Sequence, residues 1–129
     1  MPNGSTLRVM IVEDQGAIRQ LIHSSLLRIG CHNIVECSDG EEALRVLAKC
    51  RAELVISDLN MPKLDGLGLL RAIRSEPRLE KTPFILLTSH SETSIVMKAV
   101  ELKVNNYLVK PFTVTALKAK IEEVVGPLT

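Results

Sequence analysis

Short runs of consecutive apolar residues recur along this chain, and each is followed by a longer stretch whose apolar residues stand three and four apart. The first pattern marks a strand buried on both faces, the second a helix with one buried stripe. Leu7 to Val12 reads as the first strand. Ala17 to Ile29 reads as a helix striped by Ile18, Leu21, Ile22, Ser25 or Leu26, and Ile29, and closed by Gly30. Asn33 to Cys37 is a short strand, and Ser38 with Glu41 reads as a capping box opening a helix that turns Ala43, Leu44 and Leu47 inward. Glu53 to Ser57 is the third strand, and after a turn a third helix runs from Gly66 to Arg74, stopped before Pro77. Phe84 to Thr88 is the fourth strand. Ser91 opens a fourth helix with Ile95, Val96, Ala99 and Val100 inward, Asn106 to Val109 is the fifth strand, and Val114, Leu117, Ile121 and Val124 stripe a fifth helix.

Strict alternation of five strands with five helices predicts an α/β fold, a single doubly wound (βα)5 domain whose parallel sheet carries helices on both faces. In open sheets of this kind ligands bind beyond the carboxyl ends of the strands. The residues there are Glu13 and Asp14 after the first strand, Asp58 after the third, Thr88 and Ser89 at the fourth, and Lys110 with Pro111 after the fifth. Three carboxylates, a hydroxyl and an ammonium group would therefore share one edge. Like charges gathered this way raise one another's pKa, so the arrangement calls for a cation. Mg2+ fits best, because it takes one or two carboxylates, keeps waters and binds phosphate oxygens.

Composition narrows the partners. The chain has 129 residues, 46% of them hydrophobic and 24% charged, which is the balance of one globular domain. A formal net charge of +1, with one Tyr, two Phe and no Trp, offers neither the basic surface nor the stacking rings of a nucleic-acid binder. No apolar run approaches a membrane span, so no membrane insertion is expected and the cytoplasm is the expected location. Cys31, Cys37 and Cys50 lack metal-ligand spacing and read as reduced, mostly core residues. His23 and His32 read as ordinary surface or helix-face residues.

Together, Glu13-Asp14, the segment Asp58-Leu59-Asn60-Met61-Pro62-Lys63-Leu64-Asp65-Gly66, Thr88-Ser89, and Tyr107 to Phe112 (YLVKPF) resemble the CheY-like receiver domains of bacterial two-component response regulators. The resemblance spans about residues 7 to 125. It implies a flavodoxin-like strand order 2-1-3-4-5, with residues 1–6 a flexible N-terminus and 7–126 the receiver domain. By the same resemblance Asp58 takes a phosphoryl group from a histidine kinase or histidine phosphotransfer protein. Asp14, Asp58 and the backbone carbonyl of Asn60 hold Mg2+, and Glu13 acts on it through water. Lys110 and Thr88 assist catalytically, and Thr88 with Tyr107 forms a switch. The Lys110–Pro111 bond is cis in the family. Asn60 and His90, each two residues beyond a site residue, flank the path of the water that hydrolyses the acyl phosphate. A downstream protein would meet the face built from the fourth helix, fifth strand and fifth helix, including Lys98, Lys103, Lys118 and Glu122, and the molecule is expected to be a monomer or weak dimer.

One departure and three alternatives qualify this reading. Lys103-Val104-Asn105-Asn106 stands where many relatives have Gly-Ala, so the fourth helix is expected to end differently or to lean on Asn105. The chain is either a stand-alone receiver or one cut from a longer regulator. An Asp-nucleophile phosphatase of haloacid-dehalogenase type is the rival from another class, but it needs a second acid where Asn60 stands. A flavodoxin-like cofactor binder would want a Ser/Thr/Gly-rich phosphate loop where Glu13 and Asp14 stand.

Overall fold

The computed structural model describes residues 6–89 and 93–128. Its elements follow in the order β1 (Arg8–Val12), α1 (Gly16–Ile29), β2 (Asn33–Cys37), α2 (Gly40–Leu47), β3 (Leu54–Asp58), α3 (Gly66–Ser75), β4 (Phe84–Thr88), α4 (Thr93–Glu101), β5 (Asn106–Val109) and α5 (Val114–Val125). The five strands form one parallel sheet in the order β2-β1-β3-β4-β5. The chain moves outward from β1 to β2 and then returns past β1 to β3. The crevice left by that reversal lies between the ends of β1 and β3, the place where an open sheet of this kind binds its ligand.

Strand alternation sorts the core into two layers. Met10, Val12, Val55, Phe84 and Leu86 pack with α2, α3 and Ala99 of α4. Val9, Ile11, Leu54, Ile56, Ile85, Leu87 and Leu108 pack with Ile22 and Leu26 of α1 and with Leu117 and Ile121 of α5. Cys31 and Cys37 lie inside, whereas Cys50 is exposed. Among the described residues no helix is long and apolar enough to cross a membrane.

Several local expectations are corrected. β3 begins at Leu54 and ends at Asp58, one residue later than expected, so Asp58 is the final strand residue. Leu7 precedes β1, although it is buried. Leu21 and Val100 do not face inward: they are 58% and 62% exposed, on the flanks of the stripes actually buried through Ile22, Ser25 and Leu26 in α1 and Ala99 in α4. The box at the start of α2 is displaced by one residue. Asp39 is the N-cap and accepts from Glu42 N at 2.8 Å, while Glu42 Oε1 accepts from Ser38 N. Ser91 lies outside the described residues.

The end of α4 is resolved by Lys103, not Asn105. Lys103 takes a left-handed backbone, φ 62°. Its N–H donates to Val100 O at 2.9 Å and that of Val104 to Ala99 O at 2.9 Å, a Schellman closure made without glycine. Asn105 instead accepts from Phe84 N at 2.8 Å and from Arg74 Nη2 at 2.9 Å. Arg74 also donates to the carbonyls of Glu80, Thr82 and Lys103, and so ties α3 to the segment entering β5.

Candidate functional site

Period-two alternation carries three charged side chains to the same place. Glu13, Asp58 and Lys110 stand two residues beyond Ile11, Ile56 and Leu108, all buried in the layer shared with α1 and α5. At the ends of β1, β3 and β5 they meet. Lys110 Nζ lies 2.7 Å from Asp58 Oδ1 and 3.2 Å from Glu13 Oε1. Oxygen atoms of Glu13, Asp14 and Asp58 all lie within 4.8 Å of one another. Glu13 is fully buried, Asp58 nearly so, and Asp14 is exposed at the rim.

The electrostatics follow from that packing. Burial, and next the Asp58 charge, push the Glu13 carboxyl above its ordinary value, against the pull of Lys110. Burial alone would lower the Lys110 ammonium. Its hydrogen bond to Asp58 and the charges of Asp58 and Glu13 outweigh burial and hold it above the ordinary lysine value. Three carboxylates facing one ammonium leave an excess of negative charge when all are ionised. Hard oxygen donors, close together and under-neutralised, suit a small divalent cation such as Mg2+.

The turn after Asp58 is built for close approach. Leu59 N donates to Leu87 O at 2.9 Å, and Gly66 N returns to Leu59 O at 2.8 Å. Asp65 caps α3 by accepting from Gly68 N at 2.8 Å, and Lys63 adopts φ 67° between them. A Cβ on Gly66 would collide with the Asp58 carbonyl and stand 2.8 Å from Leu86 Cδ1 and 2.9 Å from Leu59 Cα. Only glycine lets α3 start against the end of β3. On the other side, Lys110 N donates to Thr88 O at 2.8 Å, and the Lys110–Pro111 bond is cis, as expected from the motif.

Thr88 is buried at the end of β4, opposite Val109. Tyr107 is half-buried opposite Leu86, on the face shared with Thr88, with Lys120 Nζ 5.7 Å from its ring centroid. Asn60 is exposed, and with Asp58 and Lys110 it lines a cleft of about 440 Å³ also lined by Ile18, Leu21 and Phe112. His90 lies outside the described residues. His23 pairs with Glu36 at 2.7 Å, and His32 is exposed. Sequence reasoning passed over Arg19, whose Nη1 donates to Glu13 O at 2.8 Å. The available signal was its spacing: Arg19, Ile22 and Leu26 share one helix face, so a cation stood on an otherwise buried stripe.

Residues 9–122 match the response regulator receiver domain family. A probable chemotaxis protein CheY of Rhizobium etli is 42% identical over 122 residues, 95% of each chain. The structure of the Vibrio cholerae chemotaxis protein CheY4 superposes with a TM-score of 0.85 at 30% identity, over 91% of this chain and 97% of that one. The receiver domain of the sensor histidine kinase PA1611 of Pseudomonas aeruginosa PAO1, solved with magnesium coordinated in its active-site cleft, gives 0.84 at 26% identity, over 94% and 98%. The chain belongs to the response regulator receiver family and is a CheY-like receiver of two-component signal transduction. The haloacid-dehalogenase alternative finds no support, since fold and family match point together to the receiver.

Proposed function

We propose that this receiver accepts a phosphoryl group on Asp58 from the phosphohistidine of a kinase or phosphotransfer protein, in the cytoplasm. The observation that carries the reading is the 2.7 Å contact of Lys110 Nζ with Asp58 Oδ1, beside two further carboxylates. A carboxylate is a weak nucleophile, so the site must orient it and neutralise charge on the phosphoryl oxygens. Asp14, Asp58 and the Asn60 carbonyl would hold Mg2+, with Glu13 acting through water. When bound, the ion supplies positive charge against the phosphoryl oxygens.

In the transfer, a carboxylate oxygen of Asp58 forms a bond to phosphorus as the bond to the donor histidine nitrogen breaks, and that nitrogen keeps the electron pair. Lys110 holds Asp58 in place and then faces the negative charge added to it. The Thr88 hydroxyl donates to a phosphoryl oxygen. Water later attacks phosphorus, the acyl phosphate bond breaks, Asp58 leaves as carboxylate and inorganic phosphate carries away the oxygen and both protons of the water. Asn60, exposed in the cleft, orients that water without deprotonating it, and His90, by its position in the sequence, tunes the same step.

Phosphorylation is read out through Thr88 and Tyr107. The hydroxyl of Thr88 moves toward the phosphoryl group, the Tyr107 ring turns into the space left, and a pre-existing equilibrium shifts. The readout face is α4–β5–α5. Met97 at 59% exposure and Val100 at 62% on α4, with Val109 at 36% on β5, support a protein partner there, because exposed large apolar side chains mark interaction surfaces. In this reading the molecule acts on another protein as a monomer or weak dimer.

Intact-mass measurement after incubation with Mg2+ and acetyl phosphate tests the reading. One lasting phosphoryl adduct on wild type, absent from Asp58→Asn, is expected. An equal adduct on both proteins would remove Asp58 as acceptor.

A further inference from the structure

The loop from Glu13 to Gln15 carries two of the three clustered carboxylates, yet it lacks the usual helix-entry anchors. Gln15, the N-cap of α1, makes no side-chain cap bond, and the first turn of α1 has no acidic residue. Among the described residues the loop is held by Arg19 N donating to Gln15 O at 2.9 Å, Lys110 Nζ to Glu13 Oε1 at 3.2 Å, Glu13 N to Cys37 O at 3.0 Å, a long bond from Gln15 N to Glu13 Oε2 at 3.5 Å, and Arg19 Nη1 to Glu13 O at 2.8 Å. The last controls direction. The Glu13 carbonyl shares one rigid peptide plane with Asp14 N, so fixing that oxygen fixes the line along which Asp14 leaves β1.

Arg19 is itself held. Its Nε donates to Glu36 Oε1 at 3.0 Å, and the other oxygen of Glu36 meets His23 Nδ1 at 2.7 Å. Glu36 sits on β2 in register with Ile11 of β1. The guanidinium therefore bridges α1, β2 and the end of β1 with bonds in two directions, a geometry that a lysine ammonium at the end of a flexible stem does not reproduce.

We propose that Arg19 is a positioning residue for the acidic pair, holding the Glu13–Asp14 peptide so that both carboxylates stand ready for a divalent cation. The inference rests on the Mg2+ reading of the site given above. It makes an unusual prediction of sign. Judged by charge alone, removing a guanidinium bonded to the backbone of the acidic pair would tighten cation binding. Removing the group that aims them weakens it.

The test is calorimetric titration of Mg2+ alone, without phosphodonor, into the full chain and into Arg19→Ala and Arg19→Lys, each checked for cooperative thermal unfolding. Wild type is expected to bind Mg2+, and both variants to bind about 10-fold more weakly, the lower end of the usual loss when a group orienting metal ligands is removed. Equal or tighter binding by Arg19→Ala, or wild-type affinity in Arg19→Lys, would overturn the proposal. Should Arg19→Ala not fold, the lysine variant decides. Wild type that takes up no Mg2+ would overturn the metal reading itself, and this role with it.

Discussion

Asp58 and Glu13 repel one another when both are ionised, and Lys110 pairs with both. The raised position of the Glu13 carboxyl records that repulsion, after burial, as its second cause. Replacing Asp58 by Asn removes the charge while leaving an oxygen for Lys110 to donate to. Without Mg2+, Asp58→Asn is therefore expected to unfold with greater stability than wild type, by on the order of 1 kcal/mol. Saturating Mg2+ is expected to reverse the order, since the cation stabilises the form that binds it. Thermal unfolding with EDTA and with Mg2+ checks both; a variant less stable in EDTA would mean that the Lys110–Asp58 pair outweighs the repulsion. Most of these residues were legible in the sequence because each falls directly after an apolar run. The role of Arg19 was not: its place on a buried helix stripe was a signal, but its bond into the site goes to the Glu13 carbonyl, and no residue type encodes that.

Helix ends carry the departures from pattern reasoning and give the clearest stability predictions. The start of α2 offered two good N-caps in succession, Ser38 and Asp39, and both have a glutamate three residues on. Asp39 takes the position, and the Glu42 N–H donating to it, with Lys63 nearby, holds its carboxyl below the ordinary value. Because the folded-state value lies below the unfolded one, the contribution is complete above the ordinary carboxylate range and is lost as pH falls through the folded value. Asp39→Ala is expected to cost about 1 kcal/mol near neutrality. Urea unfolding across acid pH should show the gap from wild type closing; a constant gap would mean that the cap does not depend on ionisation. At the end of α4, Lys103 holds a left-handed backbone that favours glycine. Lys103→Gly is expected to stabilise by about 0.5–1 kcal/mol, the steric gain exceeding the added freedom of the unfolded chain. A destabilised variant in the same measurement would contradict this. Leu21 and Val100 were read inward because periodicity alone does not separate a core stripe from apolar residues flanking it.

At the scale of the molecule, alternating strand and helix patterns predicted the parallel sheet and its ligand edge, but not the strand order. Pairing is decided by contacts far apart in sequence, and the order 2-1-3-4-5 was supplied by resemblance and then met in the sheet. The order matters because it puts Thr88 and Tyr107 on neighbouring strands, Thr88 at the carboxylate edge and Tyr107 on β5. If Thr88 transmits the signal as proposed, Thr88→Ala should still acquire a phosphoryl group, while hydrogen exchange in α4 and β5 no longer changes on phosphorylation. An unaltered exchange response would dismiss Thr88 from the switch. Everything downstream depends on where the phosphoryl group sits. The most direct measurement is borohydride reduction of the protein phosphorylated with acetyl phosphate and Mg2+, which converts an aspartyl phosphate to homoserine, followed by peptide sequencing by mass spectrometry. Homoserine at position 58 alone is the expected result; homoserine at position 14, or none at 58 despite a phosphoryl adduct, would contradict it.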